Sequence, residues 1–304
     1  MKSQSGIAIS TILYMIIIVF GLVIVTYMSI LVKNTDINRG AIDKVKTSLS
    51  VGNLSDSDKL VVKEYRYMKS DGTYSDWISY ANKSHIDKTI NLTTISNNGF
   101  MGDNYNLTSI GVELKLENGI GYLDFNGSTD RGDGVTNTTG FMLNTLYIEG
   151  VYNATSNMFI SFNNTDAFLY NNDLDFSSPN ADFRTEITEN VTLGQKFKAT
   201  LTWTSDEIYN IYVNGEKKAI QKSGSTPNHA YPLECLKIAL GYGEYANDYY
   251  LDGRIYDLRL SSRILTISEA IAITSNDIDI NSILGENSAE VIYGNFIQYR
   301  EKVY

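Results

Sequence analysis

The chain has 304 residues, with 25 Lys and Arg against 35 Asp and Glu, for a formal net charge of −10. That acidity, without clustered Lys and Arg, excludes a nucleic-acid partner, and a single cysteine, Cys235, excludes an internal disulfide framework. Two histidines exclude a His-rich metal centre, and 3 Pro against 23 Gly and 22 Tyr point to strands and turns rather than disorder.

The chain opens on the short polar stretch 1–6, Met1 to Gly6, and continues into a charge-free apolar run from Ile7 to Val32. As a helix that run rises about 39 Å, enough to cross a bilayer core of about 30 Å with some tilt. It exceeds the apolar core of a secretory signal, and no Ala-x-Ala-like cleavage site follows it, so the segment is expected to stay with the mature protein. Ile37, Ala41, Val45 and Leu49 then recur every four positions, which extends the helix as an amphipathic rod over 7–50. Val51 to Asp58 ends the rod and reads as a hinge.

Strand signals follow. Leu60 to Tyr67 and Tyr74 to Tyr80 form a hairpin around Asp71-Gly72, and Ile86 to Ile95 reads as one further strand. Ile110 to Leu116 and Ile120 to Phe125 form a hairpin around Asn118-Gly119. Asn157 to Phe162, Phe197 to Trp203, Ile208 to Val213, Leu236 to Leu240 and Leu251 to Leu260 are later strands. A helix is expected at Ile267 to Ile273 and a last strand at Glu290 to Tyr299. The fold expected is mainly β: a long N-terminal hydrophobic α-helix, then a β-sandwich head. The segments are 55–117, a small β region or extra strands of the sandwich, then the sandwich itself at 118–275 and a tail at 276–304.

Three stretches carry a resemblance to the laminin-G-like, concanavalin A-like jelly rolls. Tyr122 to Asp130 is similar to the opening strand and its turn. Phe197 to Trp203 with Ile208 to Glu216 is similar to the "TW…YVNGE" hairpin. Leu240 to Gly243, Leu251 to Leu260 and Leu265 to Ala270 are similar to the closing G-x-I-x-x-L-R pattern. The N-terminus resembles the class III signals of archaeal type IV pilin-like proteins, in which a short leader ending in Gly precedes a long apolar helix. On that likeness Gly6 ends the leader and Ile7 starts the mature chain. The fifth mature residue is Thr11 where the bacterial pattern has Glu.

Nine Asn-x-Ser/Thr sequons occur, at Asn53, Asn82, Asn91, Asn106, Asn126, Asn137, Asn153, Asn163 and Asn190, all beyond the apolar helix. Several are expected to be glycosylated if that part faces the exterior, the alternative being that an Asn-rich composition produces the sequons by itself. The flanking charges run the other way, because Lys33, Arg39, Lys44 and Lys46 lie on the long side of the apolar run. The jelly-roll likeness and the sequons favour an exterior head nonetheless.

The laminin-G likeness implies a possible Ca2+ site, for which Asp130, Asp133 and Asn163 offer oxygen ligands, ordinary turn acids being the plainer reading. Arg131-Gly132-Asp133 reproduces an adhesion tripeptide in a Gly-rich turn, a match that short sequences produce by accident. Tyr242, Tyr245, Tyr249 and Tyr250 cluster in one loop and offer a ligand or subunit-contact patch, or simply cover the sandwich edge. No Glu-x-Asp-x-Glu strand, the pattern of glucanases on this fold, is present, so no enzyme and no catalytic residue is expected. Cys235 reads as a packed core residue.

The function expected is a structural subunit of an extracellular type IV pilus-like filament with an adhesin-like head. Its partners would be copies of itself through the N-terminal helix, the membrane before assembly, and a carbohydrate or surface ligand. The alternative is a singly membrane-anchored, lectin-like surface protein.

Overall fold

The computed structural model describes residues 61–155, 158–163, 167–178, 183–205, 207–223, 233–242 and 249–303. The segments expected to form the apolar helix and the hinge, the Gly6–Ile7 junction and Asn53 lie outside these residues. Among the described residues no helix is long and apolar enough to cross a membrane.

Along the chain come β1 (Val61–Tyr67), β2 (Ile78–Ser79), β3 (Lys88–Asn91), β4 (Thr94–Ile95), β5 (Leu107–Ile110), β6 (Glu113–Glu117), β7 (Ile120–Asn126) and β8 (Arg131–Asp133). Next are β9 (Phe141–Leu143), β10 (Thr145–Tyr152), β11 (Met158–Phe162), β12 (Ala167–Tyr170), β13 (Asp175–Ser178), β14 (Phe183–Ile187), β15 (Phe197–Ser205) and β16 (Glu207–Val213). The series closes with β17 (Glu216–Lys217), β18 (Ile220–Ser223), β19 (Leu233–Cys235), β20 (Ile238–Leu240), β21 (Asp252–Ser261), helices α1 (Ile267–Ser275) and α2 (Asn281–Leu284), then β22 (Val291–Tyr293) and β23 (Ile297–Val303).

The chain forms two compact units. In the smaller, described over 61–65, 76–81 and 299–303, β1 pairs with β2 so that Glu64 faces Ser79 and Tyr65 faces Ile78. The Tyr80 ring meets the edges of Tyr65 and Tyr299 at 5.9 and 5.5 Å, and Arg300 lies 4.1 Å over the Trp77 ring while its Nε donates to Glu64.

The larger unit, 66–75 and 82–298, holds two nine-stranded antiparallel sheets. The first runs β17-β16-β15-β10-β21-β7-β6-β3 with β22 on β21, and the second runs β18-β14-β13-β12-β11-β20-β8-β5-β4. They are layered as a sandwich: Tyr152 and Phe197 of the first sheet pack on Phe159 of the second at 4.2 and 5.9 Å. Gly150 is a glycine for this reason, since a Cβ there would sit 2.8 Å from the Phe159 ring.

The first sheet is covered on its other face too. Tyr147 and Tyr212 form a second core with Leu265, Ala270, Ile273, Ile283, Leu284 and Ile292. Burial on both faces explains why Leu146 to Tyr152 reads as a nearly continuous apolar run rather than an alternating one. Helix α1 starts where Thr266 and Glu269 form a reciprocal capping box and ends on Asn276 at φ 71°.

Local turn signals hold. Glu117 pairs with Ile120 around Asn118 and Gly119, at φ 52° and 75°, and Val213 pairs with Glu216 around Asn214 and Gly215. Three expected elements are different. Ile86 to Ile95 is two strands in different sheets, because β3 pairs with β6 and β4 with β5, the chain crossing between layers at buried Leu92. Ile110 ends β5 rather than opening the next strand, because Gly111 at φ 78° turns the chain. Glu290 to Tyr299 divides into β22 and β23, with Asn295 at φ 56° between them. Strands β3 to β6, within the expected small β region, pair inside the two nine-stranded sheets.

Candidate functional site

The outer face of the second sheet presents the most distinctive arrangement of polar and aromatic groups, around β8. This strand is central, with β20 on one side and β5 on the other, so that Asp133 faces both Ala239 and Thr108. Alternation places Arg131 and Asp133 on one face and Gly132 on the other. A Cβ on Gly132 would lie 2.9 Å from Leu107 and 3.0 Å from Ile95, which marks that other side as packed core. The adhesion-type tripeptide, expected in a turn, is therefore a paired strand. Its Arg and Asp bind each other: Arg131 Nε donates to Asp133 Oδ2 at 2.9 Å. This bond, first among the causes, raises the pKa of Arg131.

Two of the four loop tyrosines meet this pair. The Arg131 guanidinium lies 5.4 Å from the centre of the Tyr242 ring, and the Tyr242 and Tyr250 rings are 5.2 Å apart at 33°. An isolated antiparallel bridge links Tyr242 to Tyr250. The platform is held from below: Ser161 Oγ donates to the Tyr242 carbonyl at 3.1 Å, and Gly241 N donates to Phe159 O at 2.9 Å. Gly241, at φ 68°, leaves no room for a side chain, since a Cβ would stand 2.5 Å from the Phe125 ring. Tyr249 is exposed, and Tyr245 lies outside the described residues. The result is a half-exposed patch that offers ring faces, a planar donor and a carboxylate acceptor.

Asp130, Asp133 and Asn163 serve separate local structures. Asp130 is buried, and its Oδ2 accepts the Asn126 amide at 3.0 Å within the turn after β7; burial, the leading cause, raises its pKa. Asn163 spends its side chain on the chain before β20: its Oδ1 accepts from Leu236 N and Lys237 N, and its Nδ2 donates to Glu234 O at 2.7 Å. Cys235 is fully buried, and desolvation pushes its thiol pKa up.

The sequons differ in the same way. Asn126 Oδ1 accepts from the amides of Ser128 and Thr129, Asn106 Oδ1 accepts from Asn97 N, and the Nδ2 groups of Asn137 and Asn153 donate to Leu236 O and Asp252. Asn82 is exposed and caps a short helical turn through its Oδ1, while Asn91 and Asn190 are exposed. Sequence reasoning found the tyrosines but missed Arg131 as their partner; the alternation of Arg131-Gly132-Asp133 was the available signal.

No family model matches the chain, and no curated protein matches it. Among solved structures it is similar to a native heptameric SAP-like pentraxin from Limulus polyphemus, at 10% identity over 55% of this chain and 84% of that one, with a TM-score of 0.37. It is also similar to a Ruminococcus gnavus IT-sialidase CBM40 bound to alpha2,3 sialyllactose, at 14% identity over 47% and 97%, with a TM-score of 0.29. A third is a protein from Bacteroides ovatus provisionally described as carbohydrate binding, at 11% identity over 87% and 84%, with a TM-score of 0.39. Likenesses this slight say nothing of what this chain binds.

Proposed function

We propose that this protein is an extracellular binding subunit: a β-sandwich head displayed by its apolar N-terminal segment in a filament of the type IV pilus kind. The observation that carries the reading is the charge-free run Ile7 to Val32 placed ahead of a large β head. Within lipid, such helices gain little by association, because the tails around them are equally apolar. Lifted out of the membrane, about 20 large apolar side chains would meet water at about 1.5–3 kcal/mol each, which drives the helices into a common core. The heads then decorate the outside.

The ligand of the head is taken to be a carbohydrate at Arg131, Asp133, Tyr242 and Tyr250. Ring faces suit the apolar faces of sugars, while a guanidinium and a carboxylate suit hydroxyl groups as donor and acceptor. Thr11, where the bacterial pilin pattern has Glu, favours the second reading, a lectin-like head held singly by a permanent helix.

Mass spectrometry of the native protein tests the assembly. A mature chain starting at Ile7, found in sheared surface fibres, supports the filament; a retained Met1 and absence from any fibre support the single anchor. Glycan-array binding by the full-length protein tests the ligand. Binding lost in both Tyr242→Ala and Arg131→Ala supports the patch, and binding unchanged by both removes it.

A further inference from the structure

Ile187 of the second sheet and Phe197 and Val213 of the first line a hollow of about 300 Å3. Its floor is apolar, since these three side chains and Val191 are buried. Its rim is polar and comes from the loop 189–196 and the segment 214–218. The lysines of the rim are already paired: Lys218 Nζ lies 3.0 Å from Glu216 Oε2 and 3.6 Å from Glu189 Oε2, and Lys196 pairs with Glu149. The loop is held in shape by its backbone. Thr188 N donates to Ala219 O at 3.0 Å, Val191 N to Asn172 O at 2.7 Å and Gly194 N to Tyr152 O at 2.6 Å, while Gln195 N closes a turn on Thr192 O at 3.2 Å. The hollow is therefore formed before anything fills it.

A second observation says what fills it. Asn190 and Thr192, the two ends of the sequon Asn190-Val191-Thr192, both line the hollow, and both are exposed. Asn163, by contrast, spends its side chain on three backbone groups. A sugar on Asn190 would start at the edge of the hollow. Sugar rings have apolar C–H faces and hydroxyl edges, so the floor suits the one and the rim amides and carboxylates suit the other. Because Lys218 and Lys196 are neutralised by Glu216, Glu189 and Glu149, the rim favours a neutral ring over an anion.

We propose that this hollow is a sugar-binding site filled in cis, by the first neutral sugars of an N-linked glycan carried on Asn190. The proposal rests on the exterior placement of the head given above. Attachment forms a bond from Asn190 Nδ2 to the anomeric carbon of an activated glycosyl phosphate. The bond from that carbon to the phosphate oxygen breaks, and the amide proton goes to the phosphate. Docking of the attached sugar is non-covalent and intramolecular. A short tether holds a ligand at an effective concentration in the mM range, so contacts too weak to capture a free sugar are enough. The docked glycan ties the loop 189–196 to the segment 214–218, and through them one sheet to the other.

The test is peptide mapping and amide hydrogen exchange of the native full-length protein, compared with Asn190→Gln and Asn91→Gln made in the same cells. Sugar is expected on Asn190. The hydrogen-bonded amides of Val191 and Gly194 in the loop, and of Asn214 and Lys218 across the hollow, should exchange about tenfold faster in Asn190→Gln, as for a ligand held at about ten times its dissociation constant. Asn91→Gln should leave them unchanged. Should Asn190→Gln fail to fold, protein from a host without N-glycosylation keeps Asn190 and should show the same acceleration. Sugar on Asn82 and Asn91 with none on Asn190 overturns this proposal alone. So does unchanged exchange at Asn214 and Lys218, since a freely moving glycan shields only its own loop. No sugar on any sequon overturns it together with the exterior placement.

Discussion

Arg259 grips Asp257, two residues before it on β21, in a buried two-toothed ion pair. Arg259 Nε donates to both carboxylate oxygens at 2.9 and 3.1 Å, and its Nη2 donates to Oδ2 at 2.6 Å. The guanidinium is 1% exposed, and its remaining nitrogen reaches Asn281 Oδ1 and the Leu284 carbonyl, so the pair fastens α2 to the outer face of the first sheet. Burial raises the pKa of Asp257 while Arg259 lowers it. Removing the cation alone therefore leaves a buried carboxylate without compensation. Arg259→Ala should lose about 3–5 kcal/mol in urea unfolding, and Arg259→Leu combined with Asp257→Leu should recover much of it. Equal losses in the single and double variants would contradict this account.

The cap of α1 carries a pH signature. Thr266 Oγ1 accepts the Glu269 amide at 3.3 Å, and Glu269 accepts the Thr266 amide at 2.9 Å. That backbone bond, the leading cause, holds the Glu269 carboxyl below its ordinary value of 4.5. A depressed folded value means the stabilisation is present above 4.5 and is lost as pH falls through the folded value. Thr266→Ala should cost about 0.5–2 kcal/mol at neutral pH. Glu269→Gln should flatten the fall of melting temperature in the acid range, as followed by circular dichroism.

Gly241 sets the height of the aromatic patch. Its φ of 68° and the 2.5 Å approach of the Phe125 ring both oppose a side chain. Gly241→Ala should destabilise the head by about 1–3 kcal/mol and lower glycan binding together with it. Tyr242→Ala should lower binding while leaving the melting temperature within a few degrees.

Glycan occupancy should follow the amide nitrogens. Peptide mapping of the native protein is expected to find sugar at exposed Asn82, Asn91 and Asn190 ahead of Asn163, whose Nδ2 is committed to Glu234 O. Asn163→Ala should destabilise the head more than Asn91→Ala, because Asn163 alone holds three backbone groups of the segment before β20.

What could be read without coordinates was local. Asn118-Gly119 and Asn214-Gly215 mark hairpins because only residues tolerant of positive φ close a two-residue turn, and Thr266 with Glu269 marks a helix start because both ends of the cap lie within four residues. Strand partners were not legible in this way. A period of two says which side chains share a face but not which distant strand lies alongside, so the insertion of β10 between β15 and β21, and the division of Ile86 to Ile95 between two sheets, follow from burial across the whole head. The same holds for the sites. The tyrosines were visible as a loop cluster, but the approach of Arg131 to the Tyr242 ring joins residues far apart in the chain that only the folded sheets bring together. Turns and caps are decided by neighbours along the chain; sites on a sandwich are decided by which strands the hydrophobic core brings together.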